Sequence, residues 1–247
     1  STAICTRDDI MLYLIQMGVE SEKSFKIMEA VRKGMVAKGR CAMWEEWKED
    51  MLAHNVPQWY IESCQKIEYM FPKAHAAAYV MMAWRIAWFK VNYPLEYYTA
   101  FFSIRADDFS YEMMCFGKER VLFHINEISK VDKNKRSAKD EGKLKDLKIV
   151  LEMYARGYDF VPIDIYKAKA DRFQIIDGKI MPSFASIEGM GEKAAEAVEE
   201  AAKDGPYLSK DDFRNRTKAS KTVVDYMADL GLLGDLPESN QLSLFDL

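Results

Sequence analysis

Phe71-Pro72-Lys73-Ala74-His75-Ala76-Ala77-Ala78-Tyr79 opens a segment in which, between positions 76 and 89, Arg85 is the only charge. Proline fits the first position of a helix, where its missing N–H and fixed φ cost nothing, so Pro72 marks the expected start of a long apolar helix. Lys73 and His75 then fall in the first turn. A helix N-terminus carries about half a positive elementary charge, and each added cation is unfavourable there by about 0.3 to 1 kcal/mol. Such a start calls for a negative partner. Backbone N–H groups, Lys73 and the His75/Tyr79 pair one turn apart would surround a phosphate and leave a ring for a sugar or base. The plain alternative is that Lys73 bends into water, His75 is partly buried and Tyr79 is core. The apolar body predicts burial nearly all round, with Arg85 paired to a buried carboxylate. About 20 apolar residues are needed to span a bilayer, and this run is shorter and charged.

On the N-terminal side, Thr6 or Asp8 can cap a helix that Gly18 ends, and Ser21 or Ser24 can open a second that stops near Gly34. Arg32 and Lys33 lie in its last turn, where the helix dipole favours cations without any ligand. Two further helices are expected over 44–54 and 58–70, separated at Val56-Pro57, and others over 96–104 and 112–129. The Lys-rich stretch 133–145 reads equally as a solvated, partly disordered loop. A helix ends at Gly157. Beyond it, Phe173-Gln174-Ile175-Ile176-Asp177-Gly178-Lys179-Ile180-Met181 is a hairpin with an Asp-Gly turn. The fold class is therefore mainly α, a helical region followed by a small α+β region, with divisions at 1–157, 158–236 and 237–247.

With 247 residues, of which 49% are hydrophobic, the chain can build a sizeable core or two modest ones. A net charge of −4 argues against a simple basic nucleic-acid module, because duplex affinity comes mainly from Lys and Arg. Local charge differs: 118–148 holds ten Lys or Arg against six Asp or Glu, and 210–221 holds five against two. A basic face on an acidic chain is possible. Cys5, Cys41, Cys64 and Cys115 are scattered without a C-x-x-C pair, which suggests no zinc site and fits a reducing, cytoplasmic compartment. No signal peptide or membrane span is evident. Asp8-Asp9, Asp107-Asp108 and Asp211-Asp212 sit in expected turns or helix starts, where capping explains them better than metal binding.

Ile187-Glu188-Gly189-Met190-Gly191-Glu192-Lys193 resembles the turn of a helix-hairpin-helix element. Gly189 and Gly191 permit a tight turn whose N–H groups face a backbone phosphate, with Lys193 the nearby cation. Surrounding glutamates weaken that reading, and a packing role for the glycines remains open. The terminal Gln241-Leu242-Ser243-Leu244-Phe245 places apolar residues where a chain end has little reason to leave them in water.

The run 71–79, continued by Met82-Ala83-Trp84-Arg85 and Tyr93-Pro94-Leu95-Glu96-Tyr97-Tyr98, resembles the fingers of bacterial C-family replicative DNA polymerases of the PolC type. Similarity extends from Arg7-Asp8-Asp9 to Phe245. The resemblance implies a fingers domain over 1–157 that binds the incoming dNTP, a duplex-binding region over 158–236 and a clamp-binding tail over 237–247. It implies that Arg32 approaches the triphosphate, and that Gln241, Leu242, Ser243, Leu244 and Phe245 dock on a sliding clamp. Template-primer DNA and further polymerase domains upstream are the other implied partners. The family's catalytic aspartates and their Mg2+ belong to the palm, so this chain is expected to bind no cofactor and to be inactive alone. Two other readings stay open: a helix-hairpin-helix adaptor that joins DNA to a clamp without using nucleotides, and a helical scaffold.

Overall fold

The computed structural model describes residues 3–240, and within them the chain divides between Ala87 and Trp88 into two compact units. The first unit begins with α1, Arg7–Gln16, whose Thr6 and Asp9 form a reciprocal capping box, and Gly18 at φ +95° turns the chain out of it. Next come α2, Ser21–Arg32, α3, Trp44–Ala53, and α4, Gln58–Lys66. They enclose a core of Ile10, Leu14, Ile27, Val31, Met51, Tyr60 and Ile61. Helix α4 stops at Lys66, short of the expected position 70. The chain then runs extended over 67–72 against the end of α2. Gly34 makes that approach possible: a Cβ there would lie 2.2 Å from the backbone oxygen of Glu68.

The apolar helix α5 spans Lys73–Asn92, one residue later than Pro72 suggested, and the division between units falls inside it. It is not buried. No residue of α5 is buried, and Trp84 is 75% exposed. Arg85 is exposed too, and among the described residues no carboxylate lies within ion-pair distance of it. Both expectations are corrected for one reason: composition says that a helix face favours burial, but not that a covering surface is present among these residues.

The second unit holds α6, Pro94–Ile104, α7, Tyr111–Met114, α8, Lys118–Lys130, and α9, Ala138–Ala155. The single helix expected over 112–129 is two, because Gly117 at φ +93° breaks it. The Lys-rich stretch is ordered: Ser137 and Asp140 form a capping box that starts α9 inside it. After Gly157, β1, Gln174–Ile176, pairs antiparallel with β2, Lys179–Met181. Asp177 and Gly178, at φ +49° and +76°, make the tight turn. Phe160, Phe173 and Ile180 pack into one core with Tyr98, Phe102, Leu147 and Met153. The compact division therefore lies between Ala87 and Trp88, and position 157 falls inside a packed unit. A second core, around Phe184, Val198, Tyr207, Phe213 and Met227, is built from α10, Glu192–Ala201, α11, Lys210–Thr217, and α12, Lys221–Asp229. No helix among the described residues is long and apolar enough to cross a membrane.

Candidate functional site

Three hydrogen bonds gather the first unit's candidate residues. The Met70 N–H donates to the Arg32 carbonyl at 3.0 Å, and the Arg7 N–H donates to the Phe71 carbonyl at 3.1 Å. The Lys73 N–H donates to Asp8 Oδ2 at 2.6 Å. The start of α1, the end of α2 and the entrance of α5 are thus tied together, which brings Arg32 beside Tyr69 just ahead of α5. Asp8 also supplies a negative partner that the cationic helix start called for. It comes from 65 positions away, where no local pattern would point to it. Burial raises the neighbouring Asp9 carboxyl, but hydrogen bonds from Thr6 and Cys5 and the charge of Lys73 outweigh it, so its pKa is lowered.

Arg32 is paired. Its guanidinium forks onto Glu29 at 2.5 and 2.9 Å, and Lys33 and Arg7 reach the same carboxylate at 3.0 and 3.5 Å. Hydrogen bonding from Arg32, with Lys33 assisting, outweighs the desolvation that opposes it and holds Glu29 at about 2, against an ordinary 4.5. Three cations around one carboxylate leave an excess of positive charge suited to a polyanion. Arg7 and Glu29 were not among the sequence candidates. The Glu29–Lys33 spacing is a helical i,i+4 pair that sequence could have offered; the reach of Arg7 is purely tertiary.

His75 and Tyr79 share a face as their spacing predicts, with ring centroids 4.5 Å apart. The contact continues backwards: Phe71 stacks on His75 at 5.3 Å and 14°, and Tyr69 meets Phe71 edge-on at 5.0 Å. Tyr69, Phe71 and Tyr79 are 60%, 52% and 67% exposed.

In the second unit, the glycine turn is anchored by buried Ile187 and Met190, while Gly189 and Gly191 face outward. Gly189 sits at φ +81°, and Gly191, at φ −73°, is the N-cap of α10. A Cβ on Gly191 would meet nothing within 4 Å. Lys193, Lys218 and Lys221 are exposed, and Lys139 and Lys143 line a depression beside Gly189. The element before the turn is a single 3-10 turn, Phe184–Ser186, rather than a full helix. The start of α11 is already occupied, since Lys210 and Asp211 donate their N–H groups to the carbonyls of Pro237 and Glu238. Asp212 accepts from the Leu208 N–H and pairs with Arg216, which is a capping role. Among the described residues no group of three His, Cys, Asp or Glu could hold a metal ion. The segment 241–245 lies outside the described residues.

Residues 157–242 match the family described as a helix-hairpin-helix motif. Over 242 residues, 98% of the chain, it is 49% identical to the DNA polymerase III PolC-type of Caldanaerobacter subterraneus subsp. tengcongensis. Over 246 residues, 99% of the chain, it is 50% identical to the protein of the same description from Bacillus cereus. The figure for Bacillus subtilis is 47% over 245 residues, 99% of the chain. In each case the chain spans 17% of the relative's length.

Proposed function

The chain belongs to the PolC-type DNA polymerase III family, as a segment covering 17% of its relatives' length, and on that premise we propose that it handles nucleotide and DNA within a replicative polymerase. The observation that carries this reading is the set of hydrogen bonds that ties the end of α2 to the entrance of α5. Through it, cations distant in sequence converge beside an aromatic face.

In this reading Lys73 and His75 offset the charge of an incoming dNTP. Arg32 does so with Arg7 and Lys33, turning part of its charge from Glu29 toward phosphate. Tyr79 packs against sugar or base. The backbone at Gly189 and Gly191, with Lys193, holds a phosphate of the template-primer duplex without reading its sequence. Gln241, Leu242, Ser243, Leu244 and Phe245 dock on the sliding clamp, a Gln amide supplying hydrogen bonds and Leu and Phe filling an apolar cleft. Phosphoryl transfer needs carboxylates and Mg2+, which we assign to polymerase domains beyond this segment, so the segment alone carries no chemistry. The setting is a cytoplasmic replisome.

Isothermal titration with a deoxynucleoside triphosphate tests the nucleotide site. An ammonium and a ring N–H donor placed against phosphate contribute about 1 kcal/mol each at an exposed site, so Lys73→Ala/His75→Ala should weaken binding about tenfold or more. Unchanged affinity would sink the assignment. The Asp8 contact to the Lys73 N–H favours a second reading, an adaptor that joins DNA to a clamp without nucleotide. Absence of triphosphate binding by the unaltered chain, with duplex binding retained, would select it.

A further inference from the structure

The rings at the entrance of α5 outnumber what one nucleotide can use. Tyr69, Phe71, His75 and Tyr79 form a continuous series with centroid separations of 5.0, 5.3 and 4.5 Å, and all four are exposed. A dNTP brings a single base, which the proposed nucleotide site assigns to Tyr79, with His75 turned to the phosphates. Tyr69 and Phe71 keep more than half of their surface in water, although Phe71 lays one face on His75 and Tyr69 meets Phe71 edge-on. Their surroundings separate them from the rest of the helix. The next two turns of α5 expose Val80, Met81, Met82 and Trp84, with Arg85 the one charge between positions 76 and 89. The ring series instead stands among cations: Lys73 lies between two of its members, and Arg32, whose carbonyl accepts the Met70 N–H, sits next to Tyr69 in the fold. Exposed rings in series beside cations that can follow a phosphate backbone are the chemistry of single-stranded nucleic-acid binding, because every base has a π face.

We propose that Tyr69 and Phe71 form a stacking platform for unpaired bases of single-stranded DNA, adjoining the nucleotide site. Stacked bases in a strand are about 3.4 Å apart, so the two rings have room for one or two. The proposal rests on the nucleotide-site reading for its placement, but not for its test. Both side chains are more than half exposed, and position 71 holds Arg7 through its backbone carbonyl rather than its ring.

The test is fluorescence anisotropy with the 247-residue chain and two labelled single strands of about a dozen nucleotides, one of deoxyadenosine and one abasic with the same phosphates. Tyr69→Ala/Phe71→Ala should weaken binding of the base-bearing strand by about tenfold or more and leave the abasic strand unaffected. Tyr69→Leu/Phe71→Leu, which keeps apolar cover but no ring, should lose as much. Equal binding of both strands by the unaltered chain, an equal loss on both strands in the variant, or full rescue by leucine would each overturn the proposal. Triphosphate affinity is measured alongside. Its absence from the unaltered chain would count against the nucleotide site alone, while base-dependent binding of the strand would still stand.

Discussion

Replacing Glu29 by Gln should remove the charge that holds Arg7, Arg32 and Lys33 together, and the structure sets the size of the effect. A carboxyl carried from 4.5 to about 2 on folding stabilises the folded state by about 3 kcal/mol at neutral pH. That is a ceiling. The Glu29 carboxylate is 20% exposed and Lys33 is 51% exposed, so solvent and salt screen the pairs, and about 1 to 2 kcal/mol is the expected loss in Glu29→Gln. The sign follows from linkage. Because the folded-state pKa is depressed, the contribution is fully present above 4.5 and is lost as the pH falls toward 2. Urea unfolding of both proteins, followed by tryptophan fluorescence to which buried Trp44 and Trp47 contribute, should give a gap that is constant above about pH 5 and shrinks toward about pH 2.5. A gap independent of pH over that range would refute the charge-based account of the cluster.

Gly191→Ala should leave thermal stability nearly unchanged, apart from an N-cap cost of about 1 kcal/mol or less, since φ is −73° and the new Cβ meets nothing. Duplex affinity at fixed salt should nonetheless fall severalfold, and unaltered affinity would remove Gly191 from the DNA interface. Gly189→Ala, at φ +81°, should instead lower stability by about 1 to 2 kcal/mol in the same melts. Trp84→Ser should shift the urea midpoint by no more than about 0.5 kcal/mol allows, because that indole is 75% exposed. A loss of several kcal/mol would mean that α5 packs against a surface in solution.

What the sequence by itself determined is governed by neighbours a few positions apart. The helix start at Thr6, the exits at Gly18 and Gly157, the Asp177-Gly178 turn and the shared face of His75 and Tyr79 all follow from local geometry, and the structure reproduces each of them. Family membership was legible in the same way, through the order of residues along 71–98. The tertiary structure decided the rest. That Asp8 takes the Lys73 N–H, that Glu29 collects three cations, that Tyr69 and Phe71 extend the ring series, and that the β-hairpin packs into the core of α6 and α9 all depend on which surfaces meet. The exposure of α5 is the sharpest case. Periodicity and composition state what a helix would gain by burial, an energy proportional to its apolar area, but whether a covering surface exists is a property of the packed chain and is encoded in no short window of residues.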